Sequence, residues 1–371
     1  MNTTKIKDVC VVVSGTTPKS TEKRYWNGTH VWITPAELTE DSFIVSDSER
    51  HITDEAVKAT GLKPFPKGTV LLSSRAPIGK VAIAGCDMYC NQGFKNLICS
   101  DSIYNLYLYY FLKSKTEYLN SLGRGATFKE ISKGIVEDIT IPFPAYDEQI
   151  HIAKQLQKIT ELIALKKRQY RYLDDIIRSR FLEMFSTVQS RVLMKDICSI
   201  ITDGTHQPPK FVTYGIPFIF VSNIVGNEIT YNAEKFIDQK TYDELIKRTP
   251  IEIGDLILST VGSYGHPAVV RSNRKFLFQR HIAYLKPRHE LVNSDYLHSA
   301  ILTEDVQRQI NSQVNGIAQK TLNLSSIKQL QIHVPPLEQQ EQFVCFKRQV
   351  DKSKYRGTIS LHLLEDVSHM L

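Results

Sequence analysis

Long apolar runs are missing from this 371-residue chain. Nothing in it approaches the roughly 20 apolar residues that a membrane helix needs. The N-terminal run Val9-Cys10-Val11-Val12-Val13 is too short for a secretory leader. The six cysteines, Cys10, Cys86, Cys90, Cys99, Cys198 and Cys345, do not fall into a zinc framework, because Cys86 and Cys90 have no second pair at a suitable distance. Free thiols and a cytoplasmic location are therefore expected, with no metal site. Catalytic signatures are equally scarce. No G-x-G-x-x-G opens a helix after a strand, and there is no G-x-S-x-G, no H-E-x-x-H and no Asn-Pro-Pro-Tyr or Asp-Pro-Pro-Tyr of the amino-methyltransferases. The stretch 76–81, APIGKV, only superficially resembles a phosphate loop, since Ser74 stands where its first glycine belongs and Val81 where Ser or Thr belongs. It reads as a turn between strands. The formal net charge of +7 admits a polyanionic partner without demanding one.

Proline, too, is scarce where it matters. After Pro142 and Pro144 the chain runs past residue 185 without another, and the same brake returns at Pro335-Pro336. Each marks the end of a compact segment and the start of a long helix, because proline disfavours helix just before it. The two brakes belong to a duplication of the whole chain. Lys7-Asp8-Val9-Cys10 answers Lys195-Asp196-Ile197-Cys198, and Gly15 answers Gly204. The segment 67–83 (KGTVLLSSRAPIGKVAI) matches 253–269 (IGDLILSTVGSYGHPAV), keeping Gly68/Gly254, Ser73/Ser259 and Gly79/Gly265. Residues 125–149 align without a gap to 316–340, keeping Gly125/Gly316, Lys129/Lys320, Pro144/Pro335 and Gln149/Gln340. Two copies of this length are duplicated domains, not solenoid repeats.

Short apolar runs bounded by Gly, Pro and Ser predict strands at 69–74, 80–85, 255–261 and 267–272. Helical spacing over 102–122 and 293–313 predicts a helix just before each closing loop. The fold class is α+β: domain 1 over 1–146, a long helix over 147–187, domain 2 over 188–337 and a second long helix over 338–371. On the first helix Ile152, Leu156, Ile159, Ile163, Lys166, Tyr170, Leu173, Ile177, Phe181 and Met184 follow the 4-3 alternation of a coiled-coil seam. On the second, Phe343, Phe346, Val350, Lys354, Gly357, Leu361, Leu364, Val367 and Leu371 repeat it less regularly, with Gly357 costing about 1 kcal/mol of helix stability. The helices are too long to pack on one domain each, so an antiparallel coiled coil with a pseudo-twofold arrangement is expected.

The loops carry the vocabulary of base-edge and phosphate contact. In the first domain the candidate DNA-binding residues are Lys19, Ser74, Arg75, Asn91, Gln92, Lys95, Arg124, Thr127 and Lys129. In the second they are His206, Lys210, Thr260, Tyr264, Gln279, Arg280, His281, Gln319 and Lys320. Surface loops are polar anyway, and plain drift between copies would also vary them. The informative feature is recurrence at equivalent places with changed side chains. Cys10 and Cys198 match in the repeat as well, but read as small buried apolar residues.

The order of variable domain, Pro-containing brake with Glu-Gln or Gln-Gln, long helix, and the whole again resembles the specificity subunit of type I DNA restriction–modification systems. The resemblance covers essentially the entire chain and rests on the duplicated architecture more than on any short motif. It implies two target-recognition domains, each reading half of a bipartite double-stranded DNA site, with the coiled coil setting an unread spacer. It implies docking of methyltransferase subunits, two in number, and of restriction subunits. It implies no catalysis by this chain, with S-adenosylmethionine, ATP and Mg²⁺ used by the partners. A freestanding duplicated DNA-binding regulator and a nuclease or methyltransferase with a cryptic site remain the alternatives.

Overall fold

The computed structural model describes residues 2–125, 129–188, 190–314 and 320–370, the last sixteen of these by their backbone alone. The chain divides into two compact units, Met1–Lys166 with Ser360–Leu371, and Lys167–Ile359. The division falls inside the first long helix.

Each unit holds one copy of the duplication, and the strand order is the same in both except that the first main sheet carries one further edge strand. In the first, Thr3–Lys5 pairs antiparallel with Thr140–Pro142, so the copy's start is tied to its end. Its main sheet runs in the order Cys10–Val13, Asn96–Cys99, Val70–Leu72, Val81–Ala84, Ile44–Val45, and a smaller sheet in the order His51–Ile52, Trp26–Ile33, Tyr89–Cys90. In the second unit Arg191–Leu193 pairs with Gln331–His333. There the main sheet is ordered Cys198–Asp203, Ile282–Pro287, Leu256–Ser259, Pro267–Val269, and the smaller sheet Lys235–Ile237, Ile216–Ile219, Leu277–Phe278. In the stretch 76–81 the chain turns between strands, as its sequence implies, and Val81 opens the next strand.

The central strands read as unbroken apolar runs because both their faces are covered. Val70, Leu72, Val81 and Ile83 enter a core shared with the helices, while Leu71, Ala82 and Ala84 enter a second core against the smaller sheet. The second unit repeats the partition: Leu256, Leu258 and Val269 on one side, Ile257, Ala268 and Val270 on the other. This is the period-2 geometry of a strand acting between two layers. Each helix expected before the closing loop is broken in two, as Asn105–Ser114 with Thr116–Ser121, and Ser294–Ile301 with Glu304–Gln313. The second break has a local cause: the Thr303 hydroxyl accepts from Val306 N and caps a new start.

The long helices are α1 (Tyr146–Phe185) and α2 (Leu337–Met370). All ten seam positions expected on α1 are buried or half-buried, while Leu162, Leu165 and Leu182 beside them are exposed. In the second unit Ile177, Phe181 and Phe185 of α1 share one core with Phe343 and Val344 of α2. Contacts descend along α2 as they ascend α1: Asp174 with Lys354 (2.5 Å), Arg180 over the Phe346 ring, Phe181 with Phe343. The two segments therefore run antiparallel in this unit. α2 continues through Gly357 without a break, because one glycine in a 34-residue helix is a small penalty. The seam expected from Gly357 to Leu371 lies outside the described side chains.

Beside α2, the fully enclosed His298 donates through Nε2 to Asn227 O (3.1 Å), leaving Nδ1 without a hydrogen-bond partner. Burial first, then the Lys347 ammonium, push this imidazole down to about 4; Arg271 acts in the same direction and Asp295 against it. The folded chain thus binds this proton less readily than the unfolded chain. The stability of the neutral ring is complete above the ordinary imidazole value and lost as pH falls toward 4, by up to about 3 kcal/mol. Denaturation of His298→Gln should show a shallower loss of stability over that acid window than the parent chain. An equal slope in both would contradict it.

Candidate nucleic-acid interface

In each unit the candidate residues sit on loops at strand ends, and the loops are brought together by the same main-chain bonds. Thr16 N donates to Cys90 O (3.0 Å), and Thr205 N to Phe278 O (2.9 Å). Asn91 N donates to Ile33 O and Gln279 N to Ile219 O, both at 3.2 Å. Ser74 N reaches Gly93 O (2.8 Å), as Thr260 N reaches His281 O (3.0 Å). The closing loop then joins in, through Ile131 N to Ser74 O (3.0 Å) and Leu322 N to Thr260 O (2.8 Å). Gly15 and Gly204 recur because the chains cross too closely for a side chain: a Cβ would stand 1.7 Å from Cys90 O and 2.2 Å from Phe278 O.

On this shared frame the side chains differ. The first unit presents Thr17, Ser74, Asn91, Gln92 and Gly93 where the second presents His206, Thr260, Gln279, Arg280 and His281. Thr17 Oγ1 donates to Gln92 Oε1 (2.6 Å), and Asn91 Oδ1 accepts from Gly93 N (2.9 Å). Lys95 is only 7% exposed and is not a free cation at the surface. Its ammonium lies 3.1 Å from Glu130 Oε1 and donates to Ser74 Oγ and Gln92 O, while Arg75 lies 3.9 Å from the other Glu130 oxygen. Arg124 and Glu130 pair through their backbones across the closing loop. Lys19, Arg124 and Lys129 are exposed around this group.

In the second unit Arg280 and His281 are neighbours, Nε to Nε2 3.4 Å. Burial, and then the Arg280 guanidinium, hold His281 below the ordinary imidazole value, so at neutral pH it offers one donor and one acceptor. Gly262 N reaches Lys320 O, which brings exposed Lys320 to the same edge. His206 and Arg248 share Asp203, at 2.8 and 2.5 Å. Tyr264 is turned to Asn311, its hydroxyl donating at 2.8 Å, and Lys210 stays exposed on its loop. Thr127 and Gln319 lie outside the described residues.

Sequence reasoning did not find the carboxylates that hold these cations, Glu130 and Asp203, nor Arg248, which joins Asp203 across 45 positions of sequence. It also missed what steadies the loop of Thr17 and Lys19. The Trp32 indole donates to Thr16 O (3.1 Å) and the Trp26 indole to Lys19 O (3.2 Å), with the Arg50 guanidinium 3.4 Å from the Trp26 ring centroid. These are the chain's only two tryptophans, so their clustering was the available signal. The described residues contain no group of three or more His, Cys, Asp or Glu able to hold a metal, and no helix among them is long and apolar enough to cross a membrane. What the loops offer is a mixed edge of amide, hydroxyl, imidazole and guanidinium groups, suited to base edges and phosphates.

A family model for the type I restriction modification DNA specificity domain matches residues 1–173 and again 192–357. The chain is 32% identical over 358 residues to the type I restriction enzyme MjaIX specificity subunit of Methanocaldococcus jannaschii, covering 90% of this chain and 82% of that one. It is 23% identical over 287 residues to the EcoBI specificity subunit of Escherichia coli, covering 68% and 60%. Among solved structures, the type-I restriction-modification S subunit from M. genitalium matches with a TM-score of 0.55 at 15% identity, over 100% of this chain and 94% of that one. A chain from a structure of type I R-M complex assembly matches with a TM-score of 0.57 at 16% identity, over 100% and 95%. At such identities the two structures speak for the fold alone.

Proposed function

The chain belongs to the type I restriction–modification DNA specificity family, as the DNA-recognition and non-catalytic component of such a system, and from that premise we propose how it divides the work. Each copy of the duplication is a head that reads one half of a bipartite double-stranded site. The observation that carries this is one loop frame bearing two different sets of side chains, Asn91-Gln92-Gly93 against Gln279-Arg280-His281. Two identical heads would read a symmetric site; two heads with changed loops read unlike halves.

The antiparallel contacts from Asp174/Lys354 to Phe181/Phe343 support a coiled coil that continues along the remaining turns of α2 and relates the heads by a pseudo-twofold axis. α1 alone, at 40 residues, is about 60 Å long. That suffices to separate two heads by one turn of DNA, about 34 Å. The same helices dock the methyltransferase subunits, two in number, and restriction subunits join that core. S-adenosylmethionine, ATP and Mg²⁺ are used by those partners. Glu130 and Asp203 hold the cations of each edge in place before DNA arrives, and Lys19, Lys129, Lys210 and Lys320 meet phosphates. Such a chain acts in the cytoplasm, where its DNA is.

The test supplies the chain with and without methyltransferase subunits and maps methylated bases on random DNA. A two-part motif with an unread gap is expected from the assembly, and no methylation from the chain with S-adenosylmethionine alone. Methylation by the chain unaided would overturn the assignment of chemistry to the partners.

A further inference from the structure

At the point where each head meets its long helix, the duplication has kept a set of hydrogen bonds and not merely a sequence. Gln149, in the first turn of α1, has no exposed surface. Its Oε1 accepts from Tyr104 N (2.9 Å), and its Nε2 donates to Ser102 O (3.2 Å) and to Pro144 O (3.0 Å). Gln340, in the first turn of α2, is equally enclosed. Its Oε1 accepts from Asn293 N (2.8 Å), and its Nε2 donates to Leu291 O (3.0 Å) and to Pro335 O (2.7 Å). The two amides touch corresponding main-chain atoms in the two copies. A second grip accompanies each: Tyr107 Oη donates to Pro142 O (3.1 Å), and Tyr296 Oη to His333 O (2.7 Å).

A buried amide with its oxygen and both its N–H groups engaged permits one geometry, because any tilt of the helix leaves at least one buried polar group unpaired. We propose that Gln149 and Gln340 are positioning residues that set the angle between each head and its helix, and through that angle the spacer the protein accepts. This rests on the reading of two heads on a bipartite site. Everything each glutamine grips is main chain, so the device is independent of which bases the head reads. Prolines at the joint stiffen the strand that leads in; the amide locks that strand to the helix and to the loop before the head's own helix.

The test uses the full chain assembled with its methyltransferase subunits. Methylation rates are measured on DNA carrying the cognate half-sites with spacers from two base pairs shorter to two longer, and on DNA with altered half-sites. Gln149→Leu and Gln340→Leu should each reduce the ratio of cognate-spacer to off-spacer rate by about tenfold while leaving half-site base preference intact. Gln149→Asn, which keeps a neutral amide but is one methylene too short to hold all three main-chain partners at once, covers the case in which Leu prevents folding, and should give an intermediate loss. Slower methylation or a lower melting temperature with an unchanged spacer ratio would make the glutamines structural only and overturn the proposal. A parent assembly indifferent to spacer and to half-site would instead overturn the two-head reading beneath it.

Discussion

Phe343→Ala is expected to lower the thermal midpoint of the unit spanning Lys167–Ile359 by about 6–20 °C. Phe343 has no exposed surface and stands at the centre of four rings contributed by three helices. Its centroid is 5.2 Å from Phe181, 5.8 Å from Phe185 and 6.4 Å from Tyr296, in each case edge-on. Phe181 and Tyr296 stack at 5.3 Å, which closes the group. Truncating a phenylalanine so enclosed leaves a cavity that its neighbours cannot refill without leaving their rotamers, at about 3–5 kcal/mol. Each kcal/mol moves the midpoint of a unit of this size by about 2–4 °C. Phe346, half-buried under Arg180, is the matched control and should cost well under half as much when cut to Ala. A fall below about 3 °C for Phe343→Ala, measured by calorimetry, would mean that the ring cluster does not join α1 and α2 to this head.

How legible these features were depends on the distance over which each is encoded. The α1 seam was readable because a helix writes its buried face into the sequence every three or four residues, and even the polar seam positions Lys166 and Tyr170 are half-buried. The duplication was readable because its surviving identities sit where the backbone leaves no freedom. Gly79 and Gly265 both adopt left-handed φ, 94° and 80°. Ser73 and Ser259 each accept a main-chain N–H with the hydroxyl, from Lys80 and His266. Gln149 and Gln340 belong to the same class, although sequence gave only their recurrence and not what they hold. The breaks at Lys115 and Thr303 were hidden because the helical spacing continues through them. The partners of Lys95 were hidden because Ser74, Gln92 and Glu130 meet it only once three loops converge. A lysine counted from sequence as a free reader is, in the fold, a nearly enclosed cation held by a carboxylate, and nothing local to it reports that.

Replacing residues 1–143 by the corresponding head of a relative, with Pro144 and all of α1 retained, should change one half of the methylated motif and leave the other half and the spacer unchanged. Two observations make the exchange feasible. The strand Thr3–Lys5 pairs with Thr140–Pro142, so the segment begins and ends at one place and can be replaced without threading a new connection. And Gln149 grips the head only by the main-chain atoms of Ser102 and Tyr104, which any head of this fold supplies. On the proposed reading, base preference should then follow the loops at Thr17, Ser74, Asn91-Gln92 and Arg124, all of which leave with the segment. Each mismatched base pair in a specific site costs about 1–3 kcal/mol. Three or more changed pairs in one half should therefore lower methylation of the original site by about a hundredfold or more, with the hybrid motif methylated in its place. Motif mapping on the hybrid assembly reads the result. If both halves changed, the heads would not read independently. If neither changed, the loops of the first head would not be the reading edge, and its specificity would have to come from α1 or from the partner subunits.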